Sequence, residues 1–275
     1  MNLAETTRST WALFKRDRQD KANHPYKMVK RAIRFMAHFI RWRRAKFKSI
    51  TVISDLHTKA FAKQLVRLLA EVGYAVDFSG SVPKKCSGDT LYFVLCPQAW
   101  KRLPRNRVVL QMEQYPNNMF FNFSWIAMLM SSLAIFDFSK RNIELISSKY
   151  AFYRKALWLP VVIEFDSERR SRGAEKEFDF VFFGAINERR KKVLDHLSAR
   201  FSILRLTGVY GDALYSELAR AKACINIHYY DAVLLETMRI SEVVAMGLPV
   251  VSELSVDQDD YPWMRSVVKF CDLMN

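Results

Sequence analysis

The chain has 275 residues, half of them apolar and 13% aromatic, which is enough to build cores for one large or two modest domains and excludes general disorder. Its formal net charge is +15, but fourteen Lys and Arg against three acidic residues place +11 of that in residues 1–48. The remainder is close to neutral, and no RNP, KH or helix-turn-helix pattern accompanies the charge, which argues against a nucleic-acid-binding protein.

From Met1 to Gln19 no continuous apolar run of the kind a secretory signal needs is found. Tyr26–Phe47 is patterned differently. Met28, Val29, Ala32, Ile33, Met36, Phe39 and Ile40 recur at three- and four-residue steps, with Lys27, Lys30, Arg31, Arg34, Arg41 and Arg44 on the remaining arc. This spacing predicts a basic amphipathic helix. Two readings are open for it: a helix packed on the first domain with a solvated basic face, or an interfacial helix on an anionic membrane surface. Residues 1–48 are expected to form a basic helical extension.

The next stretch alternates strand and helix patterns. Ser49–Ser54 reads as a strand, Thr58–Val72 as an amphipathic helix, and Tyr74–Phe78, Leu91–Cys96, Val108–Met112, Leu133–Phe138 and Leu157–Val162 as further strands. The apolar run Trp125–Phe136 is too short to span a bilayer. Polar residues that follow predicted strands stand where βα loops meet a ligand crevice. His57 follows the first strand, and Glu113 and Gln114 follow the one ending at Met112. Each reads as a contact to substrate hydroxyls or, equally, as a cap or loop residue. Residues 49–165 are expected to form one Rossmann-like domain. Asp166–Glu177 lacks large apolar residues and predicts a linker, so a second domain is expected over 166–275.

The second half has the same grammar. Phe178–Phe183 predicts a buried strand, Gly184 a tight exit, and the following residues a helix from near Asn187. Arg189, Arg190, Lys191 and Lys192 crowd that helix start, where cations oppose the macrodipole by about 0.3–1 kcal/mol each. A bound anion explains the placement, and so does a plain solvated basic face. Phe201–Leu206 reads as a strand, Thr207–Gly211 as a Gly-flanked loop, Asp212–Ala221 as a helix and Ala223–Tyr229 as a strand. Gly208, Tyr210, Asn226 and His228 all fall at strand ends. A helix then carries Glu236, Arg239 and Glu242 near one face, with Met238, Ile240, Val243, Val244 and Met246 for packing, before a strand at Leu248–Val251. A solvated Glu-Arg-Glu ladder is the bland reading of that face. Ser266–Phe270 is a last strand-like run.

From Glu242 to Val251 the residues resemble the E-x-x-x-x-G-x-P-V-V signature of GT-B glycosyltransferases, and Arg239-Ile240-Ser241-Glu242 resembles the R-x-x-E of the CgeB-like branch of the group 1 enzymes. The likeness is specific over about Asp179 to Glu253. It implies an α/β fold of two Rossmann-like domains, the first facing the acceptor and the second holding a nucleotide-diphosphate-sugar donor. It implies that Glu242 binds the donor ribose and that Gly184, Arg189 and Arg190 hold the diphosphate. Gly208 and Tyr210 would accommodate the base, with Arg239, Asn226 and His228 lining the donor site. Glu236 and His57 are the catalytic candidates. The common retaining pattern has a second glutamate eight positions before the ribose-binding one; that position is Leu234 here, and Glu236 falls two residues later.

The activity so implied is metal-independent sugar transfer to a glycan or lipid-linked acceptor, with retention at the anomeric carbon. No cofactor or metal is implied: Asp259-Asp260 lacks the Gly-flanked setting of a metal-binding DxD, and Cys86, Cys96, Cys224 and Cys271 have neither zinc nor disulfide spacing. The location implied is cytoplasmic, peripheral on the inner face of a membrane if residues 26–47 bind one. Alanine in place of Arg189 and Arg190 is expected to weaken donor binding with little change in stability. A catalytically inactive GT-B-like scaffold is the alternative. It is kept open by Leu234 and by the end at Asn275, soon after Ser266–Phe270, where such proteins usually continue through covering helices; the chain is expected to be compact, incomplete or inactive.

Overall fold

The structure is a computed structural model that describes residues 47–115, 121–164, 175–230 and 234–274. Most of the predicted extension (1–46) and of the predicted linker (166–174) lies outside the described residues, as does the 165/166 boundary.

The fold is α/β, with two Rossmann-like domains. The first sheet contains β1 (Ser49–Ile53), β2 (Val76–Ser79), β3 (Thr90–Leu95), β4 (Arg107–Gln111), β5 (Ala134–Asp137) and β6 (Leu157–Trp158) in the order β2-β1-β3-β4-β5-β6. Every pairing is parallel. Helices on both faces explain why β3 is almost continuously apolar and why β4 is buried throughout, its polar ends Arg107 and Gln111 included. α1 (Lys59–Glu71) turns Phe61, Ala62, Leu65, Leu68 and Leu69 onto the sheet, the stripe its three- and four-residue spacing predicts.

The second sheet contains β7 (Phe178–Phe183), β8 (Ile203–Leu206), β9 (Ala221–Asn226), β10 (Val250–Glu253) and β11 (Val268–Cys271) in the order β11-β10-β9-β7-β8, again all parallel. Its helices include α4 (Glu188–Ser198), α5 (Gly211–Leu218) and α6 (Thr237–Ala245). In each sheet the chain adds one strand to one side and then crosses to the other. The switch points lie between β1 and β3 and between β7 and β9, and ligands of open parallel sheets bind beyond the carboxyl ends of such strands.

Several elements differ from expectation. The predicted strand Leu157–Val162 pairs only at Leu157 and Trp158. Leu159, Val161, Val162 and Ile163 are nevertheless buried, in the core that also takes Leu234 and Ala245 from the second domain. Their apolar character serves packing between domains, which hydropathy alone does not separate from strand pairing. The predicted strand Ala223–Tyr229 starts earlier and ends at Asn226, so Ile227 and His228 leave the ladder. α2 (Phe123–Met130) and α3 (Lys140–Lys149) were not anticipated, although each has a side-chain cap: Asn122 accepts from the Trp125 N–H and Ser139 from the Asn142 N–H.

The domains are tied together directly. Ser139 Oγ donates to Asp257 Oδ2 at 2.9 Å, Ser241 Oγ to the Val161 carbonyl at 2.9 Å and Tyr261 Oη to the Phe138 carbonyl at 3.1 Å. The Gln114 amide meets both backbone groups of Leu234, at 3.3 and 3.2 Å. Among the described residues no helix is long and apolar enough to cross a membrane.

Candidate functional site

Both switch points carry residues that the sequence singles out. His57 follows β1; Gly184 follows β7; Asn226 ends β9 and His228 stands just past it. Gly184 has φ +118°, a conformation reserved for glycine, and a Cβ there would lie 2.8 Å from Arg239 Nη2. The missing side chain therefore makes room for a guanidinium brought in by α6.

Around Gly184 three arginines meet two carboxylates. Arg190 is 2% exposed; its Nη2 donates to both oxygens of Glu236 at 2.7 and 3.0 Å, its Nε to the Ile227 carbonyl at 2.9 Å and its Nη1 to the Ala185 carbonyl at 2.7 Å. Arg239 Nη2 also lies 3.0 Å from Glu236 Oε2, and its guanidinium lies over the Phe182 and Phe183 rings. Arg189 makes a two-pronged pair with Glu253, at 2.9 and 2.7 Å, and donates to the His228 carbonyl. Glu253 also accepts the His228 N–H at 2.7 Å.

Burial works to raise the Glu236 carboxyl, but Arg239 and Arg190 outweigh it and hold it below its ordinary range. For Arg190, burial and then the like charge of Arg239 bring the guanidinium down to about 10 against the pull of Glu236, so it stays charged. Burial likewise lowers His228, which is neutral. Its Nε2 lies 3.2 Å from the Leu254 carbonyl, an acceptor only, so that nitrogen carries the proton.

Four buried polar atoms of this region have no partner among the described residues: Asn226 Oδ1, His228 Nδ1, Thr237 Oγ1 and Arg239 Nη1. Buried polar atoms are seldom left so, and these stand near the second switch point, where open parallel sheets receive ligands. Asn226 Nδ2 is satisfied by Ser252 Oγ at 2.9 Å.

The other candidates lie toward the first domain. Glu242, half-buried on α6, accepts from Tyr215 Oη at 2.9 Å. Its negative charge also helps, after the Asp55 bond and charge, to raise the His57 imidazole above its ordinary value. Tyr210, beside Gly208 after β8, brings its hydroxyl to 2.9 Å from His57 Nε2, with the two rings edge-on at 4.5 Å between centroids. Gly208 has φ +70° and open space where a Cβ would be. Glu113 accepts from Gln98 Nε2 at 2.6 Å, while Gln114 serves as the tie to Leu234.

Two sequence expectations change. Arg190 turns its Nε, Nη1 and Nη2 groups to protein acceptors and is an internal strut; losing it would leave Glu236 buried beside one cation fewer. Glu236 does not lie open to substrate, being clasped by two guanidiniums at 15% exposure. Sequence reasoning also missed Glu253, Asp55 and Asp257. For Glu253 the signal was a carboxylate closing an apolar strand; for Asp55 it was an acid three residues before the buried Thr58 at the α1 start. Among the described residues no group of three His, Cys, Asp or Glu side chains has metal-holding geometry.

No family model matches the chain. It is similar to two uncharacterized proteins of Acanthamoeba polyphaga mimivirus. One is 35% identical over 127 residues, covering 45% of this chain and 17% of that protein. The other is 32% identical over 84 residues, covering 30% of this chain and 10% of that protein. The chain thus matches less than a fifth of the length of either curated relative. Among solved structures it is similar to the crystal structure of AviGT4, a glycosyltransferase involved in avilamycin A biosynthesis, with a TM-score of 0.45 and 11% identity over 82% of this chain and 83% of that one.

Proposed function

We propose that the chain is a metal-independent glycosyltransferase of the GT-B type, related to the CgeB-like branch. Residues 166–275 take a nucleotide-diphosphate sugar, and residues 49–165 present a glycan or lipid-linked acceptor. The observation that carries this reading is Arg239 Nη1, a buried donor without a partner among the described residues, beside a glycine-only turn at the second switch point. Three cations against two carboxylates leave this group one positive charge in excess, suited to a diphosphate. Arg239 and Arg189 are its contacts here, with Arg190 setting Glu236 and through it Arg239. Glu242 takes the ribose, and Gly208 leaves room for the base. Stabilising the leaving diphosphate by fixed cations supplies the electrostatic part of catalysis without a metal.

The test is a thermal-shift panel of UDP-, GDP-, dTDP- and CMP-sugars. A donor at a hundred times its Kd stabilises the fold by about 2.7 kcal/mol, and Glu242→Ala and Arg239→Ala are expected to reduce that shift. Turnover is expected to survive chelators. The inactive-scaffold reading keeps one specific support: Glu236 is engaged by two guanidiniums where a substrate-facing carboxylate was expected. Absence of a shift with every nucleotide would favour it. A cytoplasmic site of action, on an anionic membrane surface through residues 26–47, belongs to the same proposal.

A further inference from the structure

We propose that the buried polar network around Asp137, in the first domain, positions Arg239 of the second domain for the nucleotide diphosphate. It does so through two arms that cross the domain boundary and end on Leu234 and Leu235, the residues just before Glu236. The inference rests on the transferase reading for its ligand, whereas the link from the network to Arg239 stands on the protein alone.

Asp137 closes β5 and is fully buried, as are Gln111, Ser139, Asn142 and Tyr153 around it. Its Oδ2 accepts from Tyr153 Oη at 2.7 Å, Asn142 Nδ2 at 2.9 Å and Gln111 Nε2 at 3.1 Å, and its Oδ1 from the Ser139 N–H at 2.9 Å. Taking these groups out of water costs stability that an apolar core would not, and what a satisfied network supplies in return is one fixed arrangement. One arm runs through the loop after β4. Gln111 Nε2 and Asn142 Nδ2 also donate to the Glu113 carbonyl, at 2.7 and 3.0 Å, and Asn142 Oδ1 accepts the Tyr115 N–H at 3.0 Å. Gln114 lies between these two pinned residues, and its amide holds both backbone groups of Leu234, at 3.2 and 3.3 Å. The other arm runs through Ser139. Its Oγ donates to Asp257 Oδ2 at 2.9 Å, and Asp257 Oδ1 accepts the Leu235 N–H at 2.8 Å.

Leu234 and Leu235 lead into α6, and that helix is shared between the domains. Leu234, Met238 and Ala245 pack on the core of the first domain and Ser241 bonds the Val161 carbonyl, whereas Leu235, Ile240, Val243 and Met246 pack in the core of the second. Positions 234, 238, 241 and 245 recur at helical steps, so one stripe of α6 is seated on the first domain. Glu236 stands at the N-cap position of α6 and holds Arg239 and Arg190. A shift of Leu234 or Leu235 therefore passes within one turn to Glu236, and from it to Arg239. A guanidinium serves a diphosphate only when placed to within about an ångström, and the first domain sets that placement through the two arms. Asp137, Gln114 and Asp257 act through Leu234 and Leu235, as positioning residues.

Two measurements on the full chain test this. The first needs no ligand: 1H–15N NMR of the arginine Nε–H groups, with the Arg239 signal assigned by its loss in Arg239→Lys. Gln114→Ala, which cuts one arm at a partly exposed residue, and Asp257→Ala, which cuts the other, are expected to move the Arg239 signal. Gln114→Glu can accept the Leu234 N–H but cannot bond its carbonyl, and is expected to move the signal less. Lys140→Ala is the control, because it removes an ion pair across the same boundary, to Asp260 at 3.5 Å, that belongs to neither arm. An Arg239 signal unmoved by Gln114→Ala and Asp257→Ala, or moved as far by Lys140→Ala, overturns the proposal. The second is calorimetric titration with UDP, GDP, dTDP and CDP. The tightest of these is expected to bind Gln114→Ala and Asp257→Ala about fivefold or more weakly than wild type, and Lys140→Ala within about twofold. Unchanged affinity in both arm variants overturns the proposal alone. A wild-type chain that binds none of the four overturns the transferase reading and the ligand named here, and the NMR result then still decides whether Gln114 and Asp257 set Arg239.

Discussion

Gly184→Ala is the sharpest probe of the site, because two separable penalties meet at that residue. Its φ of +118° is strained for any side chain, at about 1–3 kcal/mol. The new Cβ would also stand 2.8 Å from Arg239 Nη2 and 3.3 Å from Cζ. A guanidinium end can usually swing aside, but this one is held 3.0 Å from Glu236 and lies over two phenylalanine rings. Moving it forfeits a charge-assisted bond worth about 1.5–3 kcal/mol. Gly73→Ala isolates the backbone part, since Gly73 has φ +93° with no atom within 4 Å of the added Cβ. By calorimetry the excess loss in Gly184→Ala over Gly73→Ala is expected to be about 1.5–3 kcal/mol, or roughly 3–12 °C in Tm at about 2–4 °C per kcal/mol. The donor-induced shift is expected to fall as well, because Arg239 is displaced. Equal melting temperatures for the two variants would refute the claim that Gly184 exists to admit Arg239.

Arg190→Ala is expected to destabilise the fold by about 3–5 kcal/mol, since it breaks a buried pair, leaves Glu236 one cation fewer and frees the Ile227 and Ala185 carbonyls, and urea unfolding would reveal it. Arg189→Ala, at a partly exposed pair, is expected to cost distinctly less. The Asp137 carboxyl is pushed up to about 7 by burial, although the Ser139 N–H, Tyr153, Asn142 and Gln111 all donate to it. An unfolded carboxyl titrates near ~3.9, so between the two values the native state holds a proton that the unfolded chain has lost. This group's contribution to stability is present below about pH 4 and is lost as pH rises through 7; a difference in Tm between wild type and Asp137→Asn that stays constant from pH 4 to 8 would count against it. Co-sedimentation with vesicles of rising anionic lipid content is expected to increase, and to fall on deleting residues 1–48 or on adding salt. Binding indifferent to both would make that segment structural.

The sequence disclosed most where local chemistry and tertiary role coincide. Strand, glycine, helix at Phe178–Ser198 was legible because a buried parallel strand must be apolar and its exit needs an unusual φ, and both leave marks on residue type. The R-x-x-E and G-x-P-V-V residues placed α6 and β10 for the same reason. What stayed hidden was partnership. Arg190 reads like its neighbours Arg189 and Lys191, yet it is buried while Lys191 is exposed and bonds Asp195, because which helix face meets Ile227 and Glu236 is decided by the sheet. Leu159–Ile163 looked like strand because burial between domains and burial within a sheet select the same side chains. The short helices α2 and α3 were masked by apolar or mixed composition, and only their Asn122 and Ser139 caps could have announced them.

The same partnerships decide which arginine can serve a ligand. On the proposed reading, a diphosphate beside Gly184 would draw on cations that already have acceptors, and what each would leave behind differs. If Arg189 turns to the ligand, the buried Glu253 keeps one bond, from the His228 N–H at 2.7 Å. If Arg190 turned, Glu236 would keep only Arg239 and the Tyr229 N–H, and the Ile227 and Ala185 carbonyls would each lose the bond Arg190 gives them. Exposure follows the same division, with 29% for the Arg189 side chain and 2% for Arg190. Breaking a buried, multiply bonded pair is the more expensive exchange by several kcal/mol. Adjacent basic residues that a motif treats as equivalent therefore differ in the fold: Arg190 is buried and holds Glu236, whereas on the proposed reading Arg189 is the one that would exchange partners with a donor.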